Sequence, residues 1–220
     1  YRGGNSGEMG DTLPKIDFGT GRIAKAIATG GYHACALLDN ASVKCWGHNE
    51  YGALGLGEAT TYSYWFGFLI GSDVRDRGDA LGEMGDNLLA VNLGRAAKAI
   101  TAGRYYKCAV LDYASVKCWG DNRYGVLGLE DENARGDAPN EMGDQLPAVN
   151  LGTGRTVKTV SAGRYHHNCA LLDDNSVKCW GRNEHGQLGL GDTLFRGENP
   201  GEMGNVLPRV DLGTGRTAKA

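Results

Sequence analysis

The sequence predicts an all-β fold of propeller-like tandem repeats, in which four-stranded antiparallel blades form a partial ring or an open array. Three observations predict it: one stretch occurs three times in near-copies, short apolar runs alternate with turn residues, and glycine makes up 36 of 220 residues. Glycine at roughly twice its usual share, with only five prolines, indicates many tight turns rather than a disordered linker.

The Trp-Gly pairs give the length of the repeat. They begin at Trp46, Trp119 and Trp180, which lie 73 and 61 residues apart. The opening "YRGGNSGEMGDTLPKIDFGTGRIAKA" matches the final "FRGENPGEMGNVLPRVDLGTGRTAKA" almost position for position. Such self-similarity is the signature of a repeat architecture. The sequence therefore predicts one repeat array over 1–220, with units at about 1–57, 72–130 and 131–191, and a partial unit at 192–220.

An insertion explains the longer first spacing. Leu56 to Arg77 spans 21 residues where Leu129 to Arg135 spans 6, so the first unit has 15 more, at about 58–71. Exposed aromatic patches mark interfaces, and Tyr and Trp dominate binding hot spots. The insertion is therefore predicted to be an interface, although a loop over its own blade or an added strand pair also explains it. Its candidate contact residues are Tyr62, Tyr64, Trp65, Phe66 and Phe68.

Each unit contains four short runs with the character of strands. In the third unit they read "LPAVNLG", "VKTVSAG", "CALLD" and "SVKCWG". Gly, Asn or Asp bounds each run, and no segment shows a sustained helical period. Four short antiparallel strands per repeat are typical of a propeller blade, and the repeated tryptophans are predicted to be blade-core residues.

The pattern "AGxYHxCALLDxxSVKCWGxNExGQLGLG" resembles the repeat of the regulator-of-chromosome-condensation family, in a secreted, cysteine-paired variety. The resemblance covers all three units and implies a propeller of seven blades. It also implies guanine-nucleotide exchange on a small GTPase with chromatin docking, against which the cysteines and the mild acidity argue. The period of about 61 is long for that family because of the "RGDxxxEMGDxLPxVxLGTGRTAK" stretch.

The cysteines are predicted to form disulfides within hairpins. Pairing two antiparallel strands around Asn40 sets Cys35 opposite Cys45 on one face, with Cα atoms about 4.5 Å apart. Closing a loop of about ten residues contributes roughly 2–3 kcal/mol in the chain-entropy model. The same register pairs Cys108 with Cys118 and Cys169 with Cys179.

Other uses of the cysteines are less well supported by their spacing. Zinc sites need cysteines two to four residues apart, and a redox couple needs Cys-x-x-Cys. Reduced, buried cysteines remain the alternative. Six cysteines in matched pairs favour an oxidising compartment, so the protein is predicted to be extracellular or at the cell surface.

The hairpin turns have an unusual composition. Ala41, Ala114 and Asn175 occupy the place that a three-residue turn usually gives to a left-handed glycine, and alanine is strained there. In the first hairpin, Asn40-Ala41-Ser42 is also a glycosylation acceptor. A glycan at Asn40 is therefore predicted.

The sequence predicts no catalytic residues, no cofactor and no metal site. The histidines belong to no recurring Ser-His-Asp or Cys-His constellation, and the EF-hand spacing of acidic residues is missing. The net charge of −3 gives no basic stripe for nucleic acid, and no apolar run is long enough to span a bilayer. Two Arg-Gly-Asp triplets align with "RGG" and "RGE" in the other units, which indicates a repeat loop.

The leading hypothesis is a non-catalytic extracellular structural or scaffold protein that self-assembles head to tail into a filament or a larger propeller. Three units are fewer than the roughly four to eight blades of a closed ring, and contacts that do not close give filaments. Its expected partners are copies of itself or other repeats of the same parent chain. The alternatives are a recognition propeller that binds a protein or glycan partner through its loops, and a guanine-nucleotide exchange regulator by family analogy.

Overall fold

The computed structural model describes residues 4–65 and 68–219, and the predicted all-β fold is confirmed. Besides the strands, this part of the chain contains short 3-10 turns and no α-helix, and none of its helices is long and apolar enough to cross a membrane. The strands are β1 (Ala24–Thr29), β2 (His33–Leu38), β3 (Val43–Gly47), β4 (Thr61–Trp65), β5 (Phe68–Asp73), β6 (Ala97–Ala102), β7 (Tyr106–Leu111), β8 (Val116–Gly120), β9 (Val157–Gly163), β10 (His167–Leu172) and β11 (Val177–Gly181).

Three antiparallel sheets of three strands carry the repeat. The first sheet has the order β1-β2-β3, the second β6-β7-β8 and the third β9-β10-β11. Strand β6 contacts both β1 and β9, so the first strands of successive sheets lie beside one another. The sheets thus meet at their first strands, as propeller blades do at the axis.

The predicted fourth strand of each blade is interrupted. Beside β3, Arg77 and Gly47 exchange two backbone hydrogen bonds of 2.7 and 3.1 Å, and Ala90 pairs with Lys44. The two partners on β3 are three residues apart, whereas Arg77 and Ala90 are 13 apart. Residues 78–89 therefore loop away from the sheet edge, and this loop is called the excursion; the second excursion follows Arg135. The "LPAVNLG" run, which comes first among the four runs of its unit in the sequence, likewise pairs with the outer edge of the preceding sheet: the Val149 N–H donates to the Val116 carbonyl at 2.8 Å.

A glutamate carboxylate closes the excursion that interrupts the fourth strand. Glu83 Oε2 accepts hydrogen bonds of 2.8–3.2 Å from the backbone N–H groups of Gly78, Asp79 and Ala80. These bonds, with Ala80 contributing most, lower the pKa of the Glu83 carboxyl. The glutamates of the next two "EMG" stretches, Glu141 and Glu202, accept equivalent bonds.

A buried lysine holds each excursion to its sheet. Lys117 Nζ donates to the carbonyl of Leu93 at 3.1 Å and to that of Gly143, in the second excursion, at 2.7 Å. Burial lowers the pKa of Lys117. Lys44 and Lys178 bind the equivalent carbonyls, so the repeated "SVKC" lysine crosslinks the chain on either side of a blade.

All three predicted disulfides are present. Each joins directly opposed residues of the second and third strands of one sheet, with Cα atoms 4.0–4.1 Å apart. The predicted left-handed turn residues are also confirmed, with φ of 65° at Ala41, 56° at Ala114 and 63° at Asn175. Local pairing therefore follows the register read from the sequence.

The core lies between successive sheets. Because side chains alternate along a strand, each third strand points its cysteine to one face and its tryptophan to the other. One cluster joins the cysteine face of the first sheet to the tryptophan face of the second, and a second cluster joins the second sheet to the third in the same way. The residues at equivalent positions of the two clusters are Cys35, Cys45 and Trp119 in the first cluster, and Cys108, Cys118 and Trp180 in the second.

One buried histidine lies between the first two sheets without a hydrogen-bond partner for either ring nitrogen in the described structure. His33 is 6% exposed, and burial together with Lys107 lowers its pKa to about 2. Tyr106 occupies the equivalent position in the second sheet and donates its hydroxyl to the carbonyls of Gly163 and His167. The first sheet therefore carries a histidine without a hydrogen-bond partner where the second sheet has a tyrosine whose hydroxyl is hydrogen-bonded.

His33 is expected to make the folded state less stable in acid. Unfolded histidine binds a proton below about pH 6.5, whereas folded His33 stays neutral to about pH 2, so stability falls as the pH drops below 6.5, by up to about 1.4 kcal/mol per pH unit. His33→Tyr should remove this part of the pH dependence, and exposed His185→Tyr should retain it. Urea denaturation at pH 7 and pH 5 measures both, and equal pH dependence in the two variants would contradict the role of His33.

Candidate functional site

One end of the repeat array carries a dense group of tyrosines and arginines. It forms where the first strand of each sheet ends, the second begins and the third ends. This surface is named the Tyr/Arg end. It comprises Tyr32, His48, Tyr51, Tyr62, Arg104, Tyr105, Arg123, Tyr124, Arg164, Tyr165 and Arg182.

The turns between the first and second strands form the inner part of this surface. Gly31 donates its backbone N–H to the carbonyl of Arg104 at 3.1 Å, so neighbouring turns touch. The rings of Tyr32 and Tyr105 are 6.2 Å apart. Arg104 and Arg164 each lie near the ring of the tyrosine that follows them, at 5.0 and 5.6 Å, within cation–π range.

The turns after the third strands form the outer part and reach across to the next sheet. The ring of Tyr51 lies 5.9 Å from that of Tyr105, and Tyr124 lies 5.5 Å from His166 of the third sheet. Arg123 lies 4.9 Å above the Tyr51 ring, and burial raises the pKa of this tyrosine. The aromatic contacts therefore connect units that are distant in sequence.

The arginines of the Tyr/Arg end fall into two classes. Arg123 binds the buried carboxylate of Asp121 at 2.7–3.1 Å, which raises the pKa of the guanidinium, and Arg182 pairs with Glu184. In contrast, among the described residues no carboxylate oxygen lies within 4.0 Å of Arg104 or Arg164. Both of these arginines line a cleft of about 530 Å³ between the inner turns.

The insertion forms an added strand pair that touches the Tyr/Arg end. Strands β4 and β5 pair antiparallel, and the Tyr62 hydroxyl lies 2.8 Å from His48 Nε2. Of the predicted interface residues, Tyr62 is 38% exposed. Tyr64 and Trp65 belong to β4, Phe68 begins β5, and Phe66 lies outside the described residues.

The three repeated tryptophans have different environments. Trp119 and Trp180 are fully buried between sheets, and Trp180 donates Nε1–H to the Val126 carbonyl at 2.9 Å. Trp46 is only partly buried and packs on Phe18, with ring centroids 5.7 Å apart. Trp46 therefore lies on an outer face of the first sheet, which no other described sheet covers.

Asn40 lies on the exposed turn of the first hairpin, at the opposite end from the tyrosines and arginines. Its Oδ1 accepts hydrogen bonds from the backbone N–H of Ser42 at 3.2 Å and from the Ser42 hydroxyl at 2.7 Å.

The Arg-Gly-Asp triplets are part of the framework. The Arg77 guanidinium binds Glu58 and the Asp76 carbonyl, and Arg135 binds Asp131 at 2.7 Å. These contacts occupy the arginines inside the chain, as expected of a repeat loop. In the described part of the chain, no group of three or more His, Cys, Asp or Glu side chains is placed to hold a metal ion.

The Tyr/Arg end was not among the sites predicted from the sequence. The available signal was a large aromatic residue at the same turn position of successive units, in "GGYH", "GRYY" and "GRYH", and again in "NEYG" and "NRYG". A turn needs glycine at these places but has no need of an adjacent tyrosine. The repeated tyrosine at these turn positions, which the turn itself does not require, was therefore the signal in the sequence.

Two segments of the chain, residues 24–53 and 157–187, match the model of the Regulator of chromosome condensation (RCC1) repeat. The human probable E3 ubiquitin-protein ligase HERC4 is 28% identical over 196 residues, which are 87% of this chain and 16% of HERC4. The ultraviolet-B receptor UVR8 of Arabidopsis thaliana is 29% identical over 193 residues, which are 86% of this chain and 36% of the receptor.

Solved structures of yeast RCC1 show the same fold. A crystal structure of Kap60 bound to yeast RCC1 (Prp20) matches with a TM-score of 0.56 at 18% identity, over 80% of this chain and 34% of that chain. Prp20p from Saccharomyces cerevisiae matches with a TM-score of 0.52 at 19% identity, over 86% of this chain and 38% of that one. The present sequence thus spans well under half the length of these relatives. Its repeats are similar to RCC1 repeats, and each of its three hairpins carries a disulfide.

Proposed function

We propose that this chain acts as a non-catalytic recognition module that binds a protein partner through its Tyr/Arg end. One observation carries the proposal: tyrosines and arginines from all three sheets form a continuous surface, on which Tyr32 is 64% and Tyr165 55% exposed. Tyr and Arg are enriched at the residues that dominate binding energy in protein interfaces.

The framework beneath this surface supports the proposal. Each inner turn is anchored to a three-stranded sheet, and neighbouring turns are joined by the bond between Gly31 and Arg104. A surface ordered before binding loses little conformational entropy on association. The RCC1-like fold itself supports a protein-interaction or regulatory role, and the solved yeast relatives were studied with Kap60, Gsp1p and histones.

Substitution of the exposed tyrosines should weaken partner capture. Tyr32→Ala combined with Tyr165→Ala should reduce capture of the partner at least tenfold, because hot-spot truncations cost more than about 1.4 kcal/mol. Tyr113→Ala is the control, since Tyr113 is 71% exposed on a hairpin turn at the opposite end. Quantitative pull-down with mass spectrometry compares the variants.

Equal capture by the double variant and by the Tyr113→Ala control would contradict the proposal. The identity of the partner captured by the wild-type protein also tests two alternatives from the sequence analysis. A glycan-bearing ligand would support the glycan-binding alternative. A small GTPase would support the exchange-regulator alternative.

A second candidate function, self-assembly, is favoured by the outer face of the first sheet. Ile16 is 51% and Ile27 52% exposed there. Val149 and Val160, which occupy the equivalent positions of a later repeat, are each 7% exposed because they pack in the cluster between the second and third sheets. We propose that a cysteine face of another copy, or of another repeat of the parent chain, covers the first sheet.

Self-assembly predicts that the sedimentation coefficient rises with protein concentration. Ile27→Glu should keep the protein monomeric, since it places a charge in the apolar contact. Ile23→Glu is the control, because Ile23 is 65% exposed and lies before β1. A stable monomer of the wild-type protein at all concentrations would exclude this candidate.

We further propose that the protein resides in an oxidising compartment, outside the cell or at its surface, and that Asn40 carries a glycan. The three disulfides and the exposed Asn40 turn support this placement. Protein from its native source should take up six alkyl groups only after reduction, and Asn40→Gln should remove the mass released by glycosidase. Alkylation of all six cysteines without reduction would contradict the compartment.

A further inference from the structure

Arg104 and Arg164 are the two arginines of the Tyr/Arg end that lack a carboxylate partner in the described structure. The other arginines of this surface are neutralised by Asp121 and Glu184. At the opposite end of the sheets, Arg95 is likewise neutralised, by Asp112. Within the Tyr/Arg end, Arg104 and Arg164 are therefore the arginines without a compensating carboxylate among the described residues.

Arg104 and Arg164 both line one cleft. Its lining consists of the inner turns of all three sheets and contains no acidic residue: Thr29, Gly30, Gly31, Tyr32, Ala102, Gly103, Arg104, Ala162 and Arg164. The cleft, of about 530 Å³, is the size of a small ligand site and can hold a few side chains of a partner. Its only charges are positive.

The first sheet is adapted to leave room for Arg104. Gly31 takes the place that arginine has in the second and third sheets. A Cβ atom at Gly31 would lie 3.0 Å from the Arg104 carbonyl oxygen and 3.1 Å from Arg104 Cγ. Glycine at this position therefore lets the Arg104 side chain pass closely over the neighbouring turn.

We propose that this cleft binds an acidic segment of the protein partner, with its carboxylates held by Arg104 and Arg164 and its backbone beside Tyr32. The inference rests on the proposed function, since it names the chemistry of the partner that the Tyr/Arg end recognises. Guanidinium groups bind carboxylates through paired, charge-assisted hydrogen bonds. A nucleic acid is disfavoured because it needs an extended basic stripe, and the other arginines here are already paired.

A labelled peptide of seven glutamates tests the proposal by fluorescence anisotropy, with a peptide of seven lysines as the opposite-charge probe. The wild-type protein should bind the glutamate peptide, and the double variant Arg104→Ala/Arg164→Ala should bind it at least tenfold more weakly. Replacing both arginines by lysine should restore part of the affinity. Arg216→Ala is the matched control, because exposed Arg216 also lacks a carboxylate within 4.0 Å.

Three outcomes would overturn the inference: no binding of the glutamate peptide to the wild-type protein, equal loss in the double variant and the Arg216→Ala control, or tighter binding of a single-stranded oligonucleotide of equal charge. Capture of the natural partner separates this inference from the proposed function. If the tyrosine double variant loses the partner while the arginine double variant keeps it, the recognition role stands and the acidic segment is wrong. If neither variant loses it, the recognition role itself fails.

Discussion

The structure depends on packing the cysteine face of one sheet against the tryptophan face of the next. Cys118 and Trp119 are adjacent in β8, so the alternation of side chains sends them to opposite sides of the same sheet. Both sides are apolar, and a single sheet cannot cover both by itself. Stacking of successive units is the arrangement that removes these faces from water, which is the general reason that such repeats occur in arrays.

This stacking also creates the Tyr/Arg end. Because the sheets lie side by side, the turns between their first and second strands come into contact, and tyrosines from one unit reach the rings of the next. Lys117 holds one long loop to the outer edge of its sheet, and Glu141 closes that loop on itself. The residues that form the candidate binding surface therefore contribute little to the core and are positioned by it.

The relatives share the architecture, which by itself does not specify a function. Yeast RCC1 has the same fold at 18–19% identity, and one fold hosts many unrelated activities. The proposed role of this chain therefore rests on its own surface: exposed tyrosines, a cleft without an acidic lining residue, and two arginines that have no carboxylate partner in the described structure. The open face of the first sheet adds a second surface with a different, apolar chemistry, on which Ile27 is exposed.

The sequence by itself determined the repeats, the strands β1–β3 and their counterparts, the disulfide register and the left-handed residues Ala41, Ala114 and Asn175, because alternation and turn preferences act over a few residues. Only the tertiary structure decided the rest. The "LPAVNLG" run pairs with the preceding sheet, and Trp46 is half-buried although its local sequence repeats around Trp119. Local sequence sets the direction of a side chain, but the partner that covers it is supplied by a unit more than 60 residues away. The Tyr/Arg end could not be predicted from local sequence, because units that are distant in the chain bring its residues together.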